Sequence, residues 1–339
     1  MKKIKTEEAI GHVLCHDITQ IIQGVSKGPV FRKGHIIREE DIPVLLSVGK
    51  EHVYIWECDE STLHENDAAA ILRDISLGTN MHATEAKEGK IELIADCDGL
   101  LTICRQGLQA VNSLGEMMIA SRHGGFAVKK GDVLAGMRVI PLVISKEKME
   151  GAKKAAGTES LFNVAPFTAK TAGVVTTGSE VYKGRIADTF TPVIEDKLAE
   201  YGIAVTQHVT LSDDPAAITA AIQDMLAQSV DMVFCTGGMS VDPDDQTPLA
   251  IKNTGVRIVS YGAPVLPGAM FLLAYTDDSR PIAGLPGCVM YSKRTIFDLV
   301  LPSLAAGVEV KADELTRLGE GGLCLNCPVC TFPNCGFGK

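Results

Sequence analysis

The strongest constraint on the fold is a regular alternation of short apolar runs and amphipathic segments that begins at Thr171. Strands are predicted at residues 171–176, 203–211, 231–235, 257–259 and 281–283, and helices at 187–201, 215–228, 247–253 and 288–301. Such a succession builds a mostly parallel sheet with helices on both faces. The sequence therefore predicts a three-layer α/β/α domain.

Turn-forming residues follow the predicted strands of this domain. They form four loops: Thr177-Gly178-Ser179-Glu180, Ser212-Asp213-Asp214, Thr236-Gly237-Gly238 and Leu285-Pro286-Gly287. In an open parallel sheet these strand ends share one edge, where ligands bind. A single loop of this kind is more often just a turn or a helix cap. Four of them at one edge favour a ligand-binding crevice.

The first part of the chain has shorter apolar runs and frequent glycine, which predicts a β-rich domain. Asp98-Gly99 predicts a hairpin turn between strands at 91–97 and 100–104. A second turn is expected at 128–132, before a strand at 139–144, and an exposed helical connector at 145–157. We predict three regions: a β-rich domain 1–165, the α/β domain 166–310, and a Cys-rich tail 311–339.

Composition excludes several function classes. The 339 residues carry a formal net charge of −10, which argues against a broad nucleic-acid or anionic-membrane footprint. The sequence contains no apolar run of membrane-spanning length, and the first residues lead into charged ones, unlike a secretory signal. Six of the ten cysteines are scattered through apolar segments. We therefore expect a cytoplasmic protein in a reducing compartment.

The loop after residues 231–235 combines glycine with carboxylates. Gly237 and Gly238 let backbone amides approach an anion, and Asp242, Asp244 and Asp245 could hold a divalent cation. The combination suits a phosphorylated ligand that carries Mg²⁺. The alternative is a solvated turn that caps the helix beginning near Thr247.

Residues 171–305 resemble the molybdopterin-binding domain of the molybdenum-cofactor biosynthesis family, which includes molybdopterin adenylyltransferases, molybdopterin molybdotransferases and both ends of gephyrin. The resemblance rests on several motifs in the family's order. These are Thr177-Gly178-Ser179-Glu180 followed by Gly184, Ile186 and Asp188; Asp213-Asp214; Thr236-Gly237-Gly238-Met239-Ser240 with Asp245; and Gly284-Leu285-Pro286-Gly287. Less specifically, residues 7–17 and 31–53 resemble the opening of the longer molybdotransferases.

The resemblance implies a division of roles at the crevice. The expected molybdopterin-binding residues are Thr177, Gly178, Ser179, Glu180, Asp188, Asp213, Thr236, Gly237, Gly238, Ser240, Pro286 and Gly287. Asp245 and Asp214 are the expected catalytic carboxylates, with Asp242 and Asp244 as Mg²⁺ ligands. Amides at the start of a helix after Gly287 are expected to donate to phosphate. Asp214-Pro215 is also a helix-cap signal, which leaves a structural role open for Asp214.

The implied activity is activation of molybdopterin through an adenylylated phosphate, or Mg²⁺-dependent insertion of molybdate or its tungsten counterpart. The alternative is a non-catalytic molybdopterin carrier or sensor that delivers cofactor to a partner molybdoenzyme. A nucleotide-processing enzyme on the same sheet is a third hypothesis. We expect a homo-oligomer, with a dimer favoured. An enzyme similar to the molybdopterin molybdotransferases is favoured, although this sequence departs from them in two ways: the family's Met-Asp-Gly-Tyr-Ala segment is absent, and few residues follow position 310.

Four cysteines cluster at the end of the sequence. Cys324, Cys327, Cys330 and Cys335 give a C-x-x-C-x-x-C-x-x-x-x-C spacing in a Gly- and Pro-rich segment. The spacing is similar to ferredoxin-like iron–sulfur ligation, although the last gap is one residue longer than in the bacterial pattern. A Cys₄ zinc site is equally compatible with these ligands. The alternative is a metal-free, redox-labile tail.

Overall fold

The computed structural model describes residues 2–22, 26–55, 61–240 and 245–339. The strands are β1 Lys2–Lys5, β2 Ile18–Ile22, β3 Ser26–Phe31, β4 His52–Ile55, β5 Thr62–His64, β6 Met81–Ala83, β7 Lys90–Ala95, β8 Gly99–Ile103, β9 Met117–Ser121, β10 Ala127–Val128, β11 Val133–Val139, β12 Val143–Ser145, β13 Phe162–Pro166, β14 Thr171–Thr177, β15 Ala204–Leu211, β16 Met232–Thr236, β17 Arg257–Tyr261, β18 Leu272–Tyr275 and β19 Pro281–Leu285.

The helices are α1 Ile42–Ser47, α2 Glu65–Ser76, α3 Arg105–Asn112, α4 Lys146–Ala156, α5 Ser179–Tyr182, α6 Phe190–Ala199, α7 Pro215–Ala227, α8 Thr247–Asn253, α9 Ile296–Ala305 and α10 Ala312–Arg317. Within the described residues, none of these helices has the length and apolar character needed to span a membrane.

The chain divides into two compact units. The first comprises Met1–Asp96, Ile103–Arg122 and Gly131–Asn163, and the second comprises Cys97–Thr102, His123–Lys130 and Val164–Lys339. Two short stretches from the N-terminal half therefore belong to the second unit. The second unit also contains the Cys-rich tail, whose Phe337 lies in the main apolar core.

The first unit is built from small antiparallel sheets. Its largest sheet has the order β6-β7-β11-β9, and a separate apolar cluster around Leu14, Leu45 and Val53 packs beside the β1–β4 pair. The helix predicted at 145–157 is confirmed as α4, which Ser145 caps by accepting a hydrogen bond from the Lys148 amide. The expectation that this helix is an exposed connector is wrong, because its Met149 is fully buried.

The predicted hairpin around Asp98-Gly99 is wrong. β7 pairs with β6 and β11, whereas β8 lies between β10 and β13 in another sheet. The Asp98 carboxylate instead accepts a hydrogen bond of 2.8 Å from the Lys130 amide. A Cβ atom on Gly99 would stand 2.4 Å from the carbonyl oxygen of Ala165. This glycine thus allows a close approach of backbones rather than a two-residue turn.

The strand predicted at 139–144 is also wrong in its position. β11 ends at Val139 and β12 begins only at Val143. Short apolar runs of this kind cannot be divided into strands from periodicity alone, since the break is decided by which partner strand each residue finds.

The second unit has the predicted three-layer architecture. Its sheet has the order β15-β14-β16-β19-β18-β17, in which the first four strands are parallel and β18 runs antiparallel to both of its neighbours, β19 and β17. Successive residues of β14 point to opposite faces. Val174 joins a core with α6 and α9, and Val175 joins one with α7 and α8. The strand β18, which is fully buried, is absent from the sequence prediction.

The helix predicted at 288–301 is wrong in its start. A short 3₁₀ turn spans Gly287–Met290, and α9 begins only at Ile296. The Thr295 hydroxyl accepts a hydrogen bond from the Phe297 amide, and Asp298 accepts one of 2.7 Å from the Thr295 amide. This reciprocal capping box fixes the start of the helix, and the Thr-x-x-Asp spacing is its sequence signal.

Candidate functional site

Loops after three parallel strands enclose a cleft of about 890 Å³ at the carboxyl edge of the second unit's sheet. The loops follow β14, β15 and β16. Among the described residues, twelve line the cleft: Thr177, Gly178, Ser179, Glu180, Ser212, Asp213, Asp214, Gly237, Gly238, Ser240, Asp245 and Gln246. Most of the predicted pterin-binding residues and both predicted catalytic carboxylates therefore lie together.

The first and second loops are joined through Asp213. Its carboxylate accepts hydrogen bonds from the Ser179 amide at 3.0 Å and from the Ser179 hydroxyl at 3.2 Å. Asp214 caps α7 by accepting a hydrogen bond of 2.9 Å from the Ala216 amide, with Pro215 at the first helical position. This confirms the capping role that the sequence left open for Asp214. Both carboxylates nevertheless face the cleft.

The first and third loops are in close backbone contact. A Cβ atom on Gly237 would stand 2.1 Å from the carbonyl oxygen of Thr177, and Gly237 has a φ of +80°. The Thr247 hydroxyl donates to the Gly237 carbonyl at 2.9 Å and lies 3.2 Å from the Thr177 hydroxyl. The absence of a side chain at Gly237 therefore allows the ends of β14 and β16 to come into contact.

Asp245 faces the cleft and is held by the chain that precedes it. Its carboxylate accepts a hydrogen bond of 2.7 Å from the Ser240 amide. Nearby, the Tyr261 hydroxyl donates to the Met239 carbonyl at 3.1 Å. Burial, together with the charge of Asp245, raises the pKa of Tyr261. The predicted Mg²⁺ ligands Asp242 and Asp244 lie outside the described residues.

Asp188 does not line the cleft but lies two residues before α6 and binds the first amides of that helix. Its carboxylate accepts hydrogen bonds from the amides of Phe190 and Thr191 and from the hydroxyls of Thr176 and Thr191, at 2.6 to 3.1 Å. His208 lies 3.3 Å from the same carboxylate. Burial by itself would raise the pKa of Asp188, but these hydrogen bonds outweigh it and the pKa is lowered.

Three further predicted binding residues do not line the cleft. Thr236 ends β16, is fully buried, and its hydroxyl has no hydrogen-bond partner among the described residues. Pro286 and Gly287 follow β19 and lead into the 3₁₀ turn. Since α9 starts at Ile296, the expectation that Gly287 opens a helix with free amides is wrong.

The comparisons with known proteins bear on the second unit most directly. Residues 173–306 match the family described as "Probable molybdopterin binding domain". The chain carries a domain of the molybdopterin-binding family. All residues that line the cleft fall inside this match. Residues 3–57, in the first unit, match a domain of unknown function, DUF8806.

Individual relatives match different lengths of the chain. The molybdopterin molybdenumtransferase of Staphylococcus epidermidis is 25% identical over 303 residues, covering 84% of this chain and 66% of the relative. A CinA-like protein of Mycobacterium tuberculosis is 40% identical over 76 residues, covering 22% of this chain and 18% of the relative. The chain thus aligns with less than two thirds of either relative.

Among solved structures, the molybdopterin biosynthesis enzyme MoaB of Thermus thermophilus matches with 19% identity and a TM-score of 0.33, covering 41% of this chain and 97% of that one. The tungsten cofactor synthesizing protein MoaB of Pyrococcus furiosus matches with 18% identity and a TM-score of 0.32, covering 40% and 89%.

The cleft of the molybdopterin-binding domain is strongly acidic. Glu180, Asp213, Asp214 and Asp245 line it, and its described lining contains neither Lys nor Arg. An anionic ligand would be repelled by these carboxylates unless a cation lay between them. No group of three or more His, Cys, Asp or Glu side chains within the described ranges is arranged to hold a metal. Mg²⁺ is commonly held by only one or two carboxylates, with phosphate and water completing the shell, so the cleft is chemically suited to it.

The four cysteines of the tail differ in burial. Cys324, Cys327, Cys330 and Cys335 are all described, and they are not gathered into a metal-ligating group in this structure. Cys324 and Cys335 are half-buried against the core of the second unit, whereas Cys327 and Cys330 are exposed. The two pairs thus differ in their packing: one pair contacts the core, and the other faces solvent.

The sequence prediction assigned no role at the site to three residues of the molybdopterin-binding domain. Ser212 and Gln246 line the cleft, and Thr247 bridges two of its loops. Ser212 precedes Asp213-Asp214 directly, so its position after a strand was the available signal. Gln246 and Thr247 carried no local signal, because their place depends on where the third loop turns back toward β14.

Proposed function

We propose that the cleft binds molybdopterin together with Mg²⁺, and that the protein acts in the biosynthesis of the molybdenum or tungsten cofactor. The observation that carries this proposal is the acidic, glycine-containing cleft located within the residues that match the molybdopterin-binding family. An acidic cleft without Lys or Arg in its described lining suits a phosphorylated ligand only when that ligand arrives with a cation.

The residues of the cleft divide by physical role. The hydroxyl of Ser179 and the amides beside Gly237 and Gly238 would orient the phosphate and the pterin edge. Asp245 would contact the Mg²⁺ ion, with Asp242 and Asp244 as further candidate ligands. Asp213 would hold the first loop in place through its bonds to Ser179. Bound Mg²⁺ would supply charge neutralisation at the phosphate.

The reaction that fits these roles is a transfer at an adenylylated molybdopterin, in which molybdate is the incoming substrate and AMP the product released. Positioning and charge neutralisation would account for most of the acceleration, so no nucleophilic side chain is required. We further propose a homodimer with a shared site, acting in the cytoplasm, with a molybdoenzyme as the recipient of the finished cofactor. These features extend the proposal and can be tested separately by sedimentation and by copurification.

Calorimetry with purified molybdopterin tests the binding step directly. We expect saturable binding at one site per chain, weakened at least about tenfold, or about 1.4 kcal/mol, when Mg²⁺ is removed with chelator. Release of AMP from adenylylated molybdopterin in the presence of molybdate would then identify a transferase. Tight binding without turnover would support the carrier function instead, and failure to bind in either condition would refute the proposal.

A further inference from the structure

We propose that Cys324, Cys327, Cys330 and Cys335 form a tetrathiolate centre that takes up a zinc ion or an iron–sulfur cluster within a closed loop at the end of the chain. None of the four cysteines lines the acidic cleft. The centre would therefore be separate from the pterin site, and its occupancy does not depend on the function proposed for that site.

The loop that contains the cysteines is closed at its base. The Gly338 amide donates a hydrogen bond of 2.9 Å to the carbonyl of Gly321. A Cβ atom on Gly321 would stand 2.2 Å from the carbonyl oxygen of Lys339, so the two chain segments are in direct contact. Closing a flexible loop costs entropy before its ends meet. In this loop the fold already holds the two ends together. The entropy cost of closure therefore does not oppose the gathering of four ligands from within the loop.

The base of the loop is anchored to the second unit. The amide of Leu266 donates to the carbonyl of Gly322, and the amide of Cys324 donates back to the carbonyl of Leu266, both at 2.8 Å. At the other end, Phe337 is only 4% exposed and belongs to the main core. Cys324 and Cys335 also pack against this core. Cys324 and Cys335, the first and last of the four cysteines, are therefore both anchored to the core of the second unit.

The middle of the loop has no core of its own. Cys327 and Cys330 are exposed, and the side chains of Leu325 and Val329 are 79% and 77% exposed. The described residues after α10 form no helix or strand. Residues 325–331 are all exposed and form no regular structure, so they gain little from packing. A metal ion bound by all four thiolates would supply the missing cross-link, as it does in small metal-dependent folds.

Positive charge is placed to support thiolates. The Lys293 ammonium donates a hydrogen bond of 3.0 Å to the carbonyl of Pro328, which lies between the two inner cysteines in the sequence. Four thiolates around a divalent ion leave a net negative charge, and the ammonium of Lys293 at the loop reduces the cost of that charge.

Binding of the metal releases protons from the four thiols. Each cysteine loses its thiol proton to solvent as its sulfur forms a bond to the metal. A zinc ion needs no other component, because the four thiolates complete a tetrahedral shell. A [4Fe–4S]²⁺ cluster takes up ferrous and ferric iron in equal numbers together with inorganic sulfide, so no further oxidant is needed and the two forms are separable by experiment.

The test uses the full chain, purified without oxygen, stripped with chelator, and then supplied either with Zn²⁺ alone or with sulfide and equal amounts of ferrous and ferric iron. We expect about one zinc or about four irons per chain by elemental analysis, with visible absorption only in the second case. Peptides that span residues 324–335 should exchange amide hydrogens at least about tenfold more slowly once loaded.

Matched variants keep this test interpretable. Replacing both exposed cysteines, Cys327→Ser with Cys330→Ser, should reduce metal content at least about tenfold because only two ligands remain. Cys104→Ser, which removes an exposed cysteine outside the tail, should bind metal like the wild type. Wild-type protein that holds no more of either metal than the double variant, with all ten cysteines titrating as free thiols, would overturn the proposal.

Discussion

The carbonyl oxygen of Thr177 lies where a side chain on Gly237 would have to stand, 2.1 Å from the position of a Cβ atom. This contact joins the end of β14 to the loop after β16, and it fixes the distance between two walls of the acidic cleft. Since the obstacle is backbone rather than a flexible side chain, the two strand ends would have to separate to admit any larger residue.

Gly237→Ala should therefore destabilise the protein and widen the cleft. We expect a loss of about 2 kcal/mol or more in the free energy of unfolding, because steric overlap adds to the strain of a positive φ. Gly255→Ala is the matched control, since Gly255 has a similar φ of +85° but nothing within 4 Å of its would-be Cβ. Urea denaturation measures both variants, and equal losses would show that the contact with Thr177 is unimportant.

Asp245→Asn should weaken Mg²⁺-dependent binding of molybdopterin while leaving the fold intact. The amide oxygen can still accept the hydrogen bond from Ser240, but the negative charge that attracts the cation is gone. We expect a loss of affinity of about tenfold to a hundredfold in the presence of Mg²⁺. Asp224→Asn, on the exposed face of α7, is the control, and calorimetry with both variants makes the comparison. If the two variants bind alike, Asp245 does not contact the ion.

Asp188→Asn should make stability less dependent on pH. Because the pKa of Asp188 is lowered in the folded state, its ionised form stabilises the fold above the unfolded pKa of about 4, and this stabilisation is lost as the pH falls through the folded value. We expect the variant to be about 1 to 3 kcal/mol less stable at neutral pH. The difference from wild type should shrink in acid, as urea denaturation between neutral and acidic pH would measure. A difference that stays constant down to the lowest pH would contradict this account.

Asp298→Ala should be more damaging than Lys197→Met. The buried Asp298 carboxylate accepts from the Lys197 ammonium at 2.5 Å, from Arg294 at 2.8 Å and from the Thr295 amide at 2.7 Å. Removing it leaves a buried Lys197 without this carboxylate and deletes the cap of α9, so we expect a loss of about 3 to 5 kcal/mol. Lys197→Met leaves Arg294 to balance the carboxylate and should cost less. Chemical denaturation gives both values, and the reverse order would contradict the assignment.

Much of the second unit follows from local sequence. The alternation that begins at Thr171 predicts its parallel strands and three of its helices closely, because each pattern depends only on neighbouring residues. The loops that line the cleft were predicted for the same reason, since a strand end is recognisable from the glycine or acid that follows it. The cap at Asp214 is likewise a local signal that the structure confirms.

The sequence alone could not decide pairing and placement. Asp98-Gly99 has the composition of a hairpin turn, yet Gly99 serves a close contact with Ala165. The buried strand β18 was missed although its residues are apolar. The loop at Pro286 and Gly287 follows a parallel strand but does not line the cleft. In each case the outcome depends on contacts between residues far apart in the chain.

From the residues alone came the layer order of the α/β domain, the chemistry of its edge and the cysteine spacing of the tail. Only the tertiary structure decided that Asp188 binds the first amides of α6 instead of lining the cleft, and that the tail closes on itself at Gly321 and Gly338. The physical reason is the separation of the interacting residues along the sequence. Periodicity and turn chemistry depend on adjacent residues, whereas the partners of a side chain depend on packing between distant segments.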